Sequence, residues 1–567
     1  MYEDIIRQYR DLDDRLADFH YKVKSEDNYE TVQLIPSEEN YEALKAELEE
    51  LGKEVEALLA PTKPCEVWKA HFHDFVFSEK NELEGLFANP ARIFDRISFF
   101  FIRHFRNDAR PDVMRADIIE KKLSQVPAIM DAIRARADKL TDKRKAAMVN
   151  LCNHCARTTR GIIPKIPSYM KQASFDAEKV AHLSEVMNTY CDRLEAFAAE
   201  PLWQTDIPKE DVNNYDLRIP FEEKYYRDLL HDLRGVELDE LLSWYEEEIE
   251  KTRENVYRIA RALPIPENDP KSMADVKAIL DKYAGAPDNP EEVLIRGRKY
   301  LDRAQAGGRK YVWYPEDEYC QLYGACEYLK YSWPWGGAGS GNPRQRPLMG
   351  VIWYNDANYT AVTDGWMKMM SIHETYPGHH IQFVRCTTDK IPETAKIGAC
   401  HMPLIEGTAH RSEHVFEWIY EEDPFYPLFV AYRRHHTAVR IKVDLMLRYF
   451  GKTIGEAVQV YKDELAFDER SARGQVKQHE EMEGYFTVYY YGYKKLTEWE
   501  EKYGYDVKTY TELLFSAGKI SVNNFEKFLQ MNKAEKESFC NDFYSKRMDI
   551  PYFVNTNTTR FDDPVKR

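Results

Sequence analysis

Residues Ser371 to Gln382 read S-I-H-E-T-Y-P-G-H-H-I-Q and set His373, Glu374, His379 and His380 within eight residues of one another. Imidazoles and a carboxylate are what a hydrolytic zinc site uses as ligands and proton acceptor, with one coordination position left for water. The enrichment is local, because eight of the sixteen histidines lie between His373 and His436. In the common H-E-x-x-H arrangement the two histidines stand one helical turn apart and the Glu beside the first faces the water. Here position 377 is proline and the next histidines come six and seven residues after His373. Pro377 cannot donate to the carbonyl of His373 and Gly378 is permissive, so a bulged or kinked helix is predicted. On an unbroken helix His379 would point away from His373, and His380 would share its face about 10 Å along the axis. A two-residue expansion brings His379 to the place normally held four residues on. The pattern favours His379 as second ligand and keeps His380 as the alternative; the one that does not bind is expected to act as a transition-state donor or to hold a ligand in place.

A third ligand is expected from Ile405–His414 (I-E-G-T-A-H-R-S-E-H), where Glu406 and Glu413, seven apart, share one face of a helix. Glu406 could reach the metal while Glu413 holds a ligating histidine or a neighbouring arginine, and Gly407 would allow another backbone to come close. Two imidazoles and one carboxylate suit zinc best, with manganese or cobalt as other divalent candidates. His20, His104, His182 and His231 read as ordinary core or surface residues, and His435-His436 beside Arg433-Arg434 as a polar network. Cys152-Asn153-His154-Cys155 has CxxC spacing, but no second pair completes a four-ligand site.

Around this site the chain reads as mainly helical. Helices are predicted over 3–24, 39–60, 112–139, 141–160, 174–200 and 237–262, where apolar residues recur at three- and four-residue intervals. The glycine-rich stretch Trp333–Pro343 reads as a loop and Leu348–Tyr354 as an edge strand beside the histidine helix, to which an extended substrate could add. Proline and a strand, not a helix N-terminus, follow those glycines, which argues against a phosphate cradle. Helix resumes from Asp364 to a last one around 523–536. The 567 residues exceed one usual domain, and the expected division is an N-terminal helical lobe, 1–235, and a metal-binding catalytic lobe, 236–567.

A formal net charge of −17 without any basic block argues against nucleic acid. No apolar run is long enough to span a bilayer, and the N-terminus has no apolar signal core. Nine scattered cysteines suggest reduced thiols. A cytoplasmic protein with neither membrane nor nucleic-acid partners is expected.

The motif residues His373, Glu374, Pro377, Gly378, His379, His380 and Gln382 carry a resemblance to the bacterial family known as domain of unknown function 885, whose hallmark is H-E-x-x-P-G-H-H-x-Q. Its second block, near E-G-W-A-L-Y-A-E, is similar to E-G-T-A-H-R-S-E here, with Glu406, Gly407, Ala409 and Glu413 kept. Thr408, His410 and Arg411 replace the family's residues and are expected to reshape the pocket more than the metal site. Two later blocks resemble Arg440–Arg448 and Glu483–Gly492, so that Tyr489 falls on a motif tyrosine. The likeness covers roughly 236–496. More loosely, the E-x6-E spacing is similar to that of the carboxypeptidase Taq and thimet oligopeptidase families, helical zinc peptidases. The resemblance implies a mainly α, gluzincin-like fold of two lobes around a deep cleft, with a small β-sheet next to the active-site helix.

The function expected from this reading is zinc-dependent hydrolysis of a short peptide or related amide. His373, His379 or His380, and Glu406 would hold the ion, Glu374 would act as general base, and Tyr489 would donate to the oxyanion. Core packing is the plain alternative for Tyr489 in a chain with 38 tyrosines. Arg440, Arg344 and Arg346 could each clamp a substrate carboxylate, favouring an exopeptidase, although an ordinary ion pair would explain each singly. Hydrolysis of a non-peptide amide and metal binding without turnover are the rival readings.

Overall fold

The structure is a computed structural model that describes residues 2–24, 33–108, 110–206, 222–325, 329–330, 334–343, 345–544 and 553–554. It is mainly helical, with a three-stranded and a two-stranded sheet among the described residues. Helix starts follow local chemistry: Ser37, Thr62, Thr141 and Asp176 each accept from a backbone N–H three residues on, satisfying donors that the first helical turn leaves free. Apolar stripes decide what each helix meets. Leu238–Arg261 buries Leu241, Ile249, Val256 and Ala260 along one side and packs against Tyr426–Arg448.

Two predicted helices are each divided in two. The stretch 112–139 forms Asp112–Ser124 and Val126–Ala135, because Pro127 has no N–H to continue the ladder across Gln125. The last stretch forms Val522–Leu529 and Lys533–Asn541, the second opened by a capping box between Asn532 and Glu535.

The strands are β1 (Tyr319–Gly324), β2 (Gly336–Ser340), β3 (Gln345–Arg346), β4 (Met349–Tyr354) and β5 (Phe553–Val554). The sheet order is β1-β4-β2, with β4 parallel to β1 and antiparallel to β2, while β3 pairs with β5. This corrects the sequence reading twice. β4 is central, not an edge, so neither of its sides is open to an added strand. Gly336–Ser340 is a strand, not a loop: its glycines let the indole of Trp353 lie flat against it, 2.7 Å from where a Cβ on Gly337 would stand. Glycine's poor strand propensity hides such a segment from pattern reading. Residues 331–333 and Arg344 lie outside the described residues.

One connected apolar core runs from Ile5 to Phe543, and the first helix and the segment around Phe539–Phe543 both contribute to it. Trp68 stacks on Phe539 at 4.1 Å, and buried Asp13 accepts from the backbone N–H groups of Glu393 (2.6 Å) and Thr394 (3.0 Å).

Candidate metal centre

The helix Asp364–Met370 loosens into a π-turn, Ser371–Thr375, which carries His373 and Glu374. A cis peptide precedes Pro377, and a new helix starts at His379 and ends at Thr388. The predicted kink is thus a full break and restart. Gly378 is required at the break, because a Cβ there would stand 2.0 Å from the carbonyl oxygen of His373 and 2.2 Å from that of Ile372.

The restart turns His379 towards the first histidine. One nitrogen of His373, one of His379 and one oxygen of Glu406 lie within 4.8 Å of one another. Glu406 Oε2 stands 3.4 Å from His373 Nε2 and 3.3 Å from His379 Nε2. Ligands placed tetrahedrally about 2.0–2.1 Å from one zinc ion lie roughly 3.3–3.4 Å apart, so these two separations match those of a shared coordination sphere. The same Oε2 is buried and makes no hydrogen bond. The donor set therefore fits a single divalent cation.

The opposite ring nitrogens are already engaged. His373 Nδ1 donates to Glu413 Oε1 at 2.7 Å, and His379 Nδ1 donates to Gln382 Oε1 at 2.7 Å. Gln382 in turn donates to the carbonyl of Ile405, one residue before Glu406. Each Nδ1–H is held by its acceptor, which leaves both Nε2 atoms facing Glu406. Glu413→Gln is accordingly expected to weaken metal affinity about 10–100-fold, with Glu406 and both histidines still in place, as read by competition with a chromogenic chelator.

Burial alone would lower the His373 pKa, but the carboxylates of Glu406 and Glu413 beside its two ring nitrogens outweigh burial and raise it to about 10. Burial opposes ionisation of Glu406, yet His379 and His373 hold its carboxyl well below the usual range. Without a cation the triad is thus a tight cluster of coupled charges.

Glu406 and Glu413 lie on the helix Met402–Val415, which crosses the helix Val488–Tyr503 through two glycines. A Cβ on Gly407 would come 2.5 Å from the backbone of Gly492, and one on Gly492 would come 1.9 Å from the carbonyl oxygen of Pro403. Gly492→Ala is expected to push the two helices apart and cost about 1–3 kcal/mol, measured by chemical denaturation. The second helix and the turn before it bring two phenols to the site. Tyr485 donates to Glu406 Oε1 at 2.5 Å, and Tyr489 donates to Tyr485 at 3.3 Å. The Tyr489 ring is nearly parallel to that of His373, 6.3 Å between centroids. Tyr485 is a member of the site that motif reading passed over; its only signal was standing one helical turn before Tyr489.

His380 goes elsewhere. Its Nε2 lies 2.6 Å from Glu318 Oε2 beside the start of β1, and its ring packs so closely on Gly350 of β4 that a Cβ there would be 2.2 Å from Nδ1. Glu318 also accepts from Tyr376 and Gln305. The alternative of His380 as ligand, and its expected role as transition-state donor, do not match this placement: adjacent side chains on a helix diverge, and this one ties the helix to the sheet.

A small cavity of about 80 Å³ opens beside the triad, lined among others by His373, Glu374, Arg433, Arg440, Tyr485 and Tyr489. Glu374 is half-buried on this wall. Thr408, His410 and Arg411 do not line it, so the altered second block leaves this pocket's wall untouched. Arg411 pairs with Glu500, and His410 donates to Glu413 Oε2 at 2.9 Å. Arg346 binds the backbone carbonyls of Pro343 and Gln345. A larger groove of about 510 Å³, lined among others by Lys251, Arg258, Arg434 and Lys494, holds none of the triad. His435 and His436 are buried, on Thr252 and Gln475 respectively. Cys152 and Cys155 are buried free thiols whose pKa values burial pushes up.

The family model described as "Bacterial protein of unknown function (DUF885)" matches residues 14–527. No curated protein matches this chain. Several solved chains share the fold, among them one from Colwellia psychrerythraea and one from Shewanella oneidensis. The "putative lipoprotein" of Colwellia psychrerythraea superposes with a TM-score of 0.75 at 15% identity, over 92% of this chain and 99% of that one. A "putative lipoprotein of unknown function" from Shewanella oneidensis gives 0.65 at 14% identity, over 92% of this chain and 100% of that one.

Proposed function

The chain belongs to the bacterial family of unknown function DUF885, and on that premise we propose that it is a zinc-dependent metallopeptidase acting on short peptides. One observation carries the reading: an unbonded, buried carboxylate oxygen of Glu406 stands at coordination-sphere separations from two imidazole nitrogens whose far sides are already held. His373, His379 and Glu406 would hold the ion, which when bound would polarise the scissile carbonyl and acidify a water.

The remaining work falls to side chains on the cavity wall. Glu374, next to His373 and facing the cavity, takes a proton from the attacking water onto its carboxylate and delivers it to the leaving amine. Tyr489 keeps its phenol protonated, since burial raises its pKa, and donates to the oxygen on which negative charge grows. Tyr485 and Glu413 hold Glu406 and His373 in position. A Glu ligand from a separate helix supports a gluzincin-like arrangement, and the lobed, deep-cleft architecture belongs to the same proposal. Seven of the eight cysteines among the described residues are buried and all eight are free, which supports a reducing, cytoplasmic setting. No helix among the described residues is long and apolar enough to cross a membrane.

The test is metal analysis of purified protein followed by a peptide-library screen with and without added zinc. The expected result is one ion per chain and cleavage that a chelator abolishes and zinc restores. A chain that takes up no stoichiometric metal, or that cleaves no peptide when loaded, rules the reading out.

A further inference from the structure

We propose that Arg433 and Arg440 form a seat for a carboxylate of the substrate, one ring away from the triad. This rests on the peptidase reading and narrows it to short peptides that present a carboxylate beside the scissile bond.

Both arginines lie on the helix Tyr426–Arg448, seven residues and so about two turns apart, on one face. Their guanidinium carbons converge on the ring of Tyr489, at 5.3 Å for Arg440 and 5.7 Å for Arg433. Both line the cavity that holds His373 and Glu374. Both are buried, 6% and 5% exposed, and the Nε of each has no acceptor among the described residues. What they do touch is neutral. Arg440 donates to Gln475 at 3.0 Å and lies over Phe486; Arg433 reaches His436 at 3.5 Å and lies over Trp366.

No carboxylate among the described residues pairs with either guanidinium, in contrast to the other deeply buried arginines of this half of the chain. Arg385 pairs with Asp389 at 2.9 Å and Arg411 with Glu500 at 2.6 Å. Burying one unpaired cation is strongly unfavourable, and setting a second beside it adds repulsion. Arg440 shows both effects, its pKa depressed to about 10 by burial and then by Arg433. The arrangement becomes favourable when an anion enters the cavity and accepts from both forks, the geometry in which arginine recognises carboxylate.

The distance suits a peptide. Tyr489 is the common neighbour, 6.3 Å from the His373 ring and under 6 Å from both guanidiniums. One or two extended residues, at about 3.3–3.6 Å each, bridge from the triad to the seat. Trp366, Met369, Met370 and Phe486 supply apolar walls between them. A peptide whose residue next to the cleaved bond pairs an apolar side chain with a carboxylate fits this surface. The carboxylate can be the chain terminus or an acidic side chain, since the guanidinium fork reads the two alike.

Calorimetry on zinc-loaded Glu374→Gln protein separates these sources without relying on turnover. Three probes are compared: Ac-Phe-Ala with a free C-terminus, the neutral Ac-Phe-Ala-NH2, and Ac-Phe-Asp-NH2. At least one carboxylate-bearing probe is expected to bind about 10-fold or more tighter than the neutral one, and adding Arg440→Gln is expected to erase the difference. Glutamine can still reach Gln475, so the helix contact survives; should that variant fail to fold by circular dichroism, Arg433→Gln carries the comparison. Preference for the free C-terminus identifies a terminal carboxylate, and preference for the Asp probe a side chain; either supports the seat. Equal binding of all three probes, no binding at millimolar concentration, or a preference that survives both substitutions overturns it. A carboxylate preference in a protein that hydrolyses no peptide keeps the seat and removes the peptidase reading, whereas hydrolysis without the preference does the reverse.

Discussion

Glu374→Gln is expected to lower kcat by about 10²–10⁴-fold while zinc content and fold stay unchanged. The amide keeps the size and hydrogen-bonding shape of the carboxylate but cannot take the water's proton. Glu374 is half-buried on the cavity wall and no hydrogen bond or ion pair engages its carboxylate among the described residues, so the exchange breaks no such contact. The contrast is with Tyr489→Phe, which removes only a donor to the developing oxyanion. Single-turnover kinetics on a quenched peptide, with zinc measured on the same samples, checks both the loss and the intact metal. A variant that keeps its rate would place the proton transfer on another group.

Removing a ligand should act through stability as much as through turnover. Glu406→Ala and His373→Ala are each expected to lose the ion outright, a larger effect than the 10–100-fold weakening that loss of a supporting hydrogen bond produces. A cation that binds the folded chain alone stabilises it by about 4 kcal/mol at a thousandfold excess over its Kd. Zinc should therefore raise the wild-type melting temperature and a chelator should lower it, whereas Glu406→Ala should respond to neither. In the metal-free chain the Glu406 carboxylate pairs with His373 and His379, which are both raised in pKa by it. Alanine at 406 leaves those two imidazoles facing each other, 4.8 Å between centroids, without that counter-charge. Differential scanning calorimetry with and without zinc reads both effects.

What the residues alone reveal is the part governed by local chemistry. The 3.6-residue recurrence of apolar side chains exposes the helical class and most helix ends, because burying a stripe and capping free N–H groups are decided by neighbours in sequence. The same local logic marks Pro377 and Gly378 as a break, and places Glu406 and Glu413 on one side of one helix. It also contains two signals that a coarser reading passes over, Pro127 dividing one helix and the Asn532–Glu535 box opening another.

The rest depends on which remote segments meet. Consecutive histidines differ only in direction, and the direction comes from where the helix restarts: at His379, with that ring turned to Glu406 and the ring of His380 turned to Glu318 and Gly350. Gly336–Ser340 has no strand pattern of its own and is ordered by lying along β4. Neither Tyr485 bonding Glu406 nor the lack, among the described residues, of a carboxylate paired with Arg433 or Arg440 can be read from spacing. Residue types and intervals establish that this chain is helical and holds the materials of a zinc site. The tertiary structure decides which imidazole, phenol and guanidinium share a cavity, since side-chain direction and the pairing of buried charge are set by contacts between segments far apart in the chain.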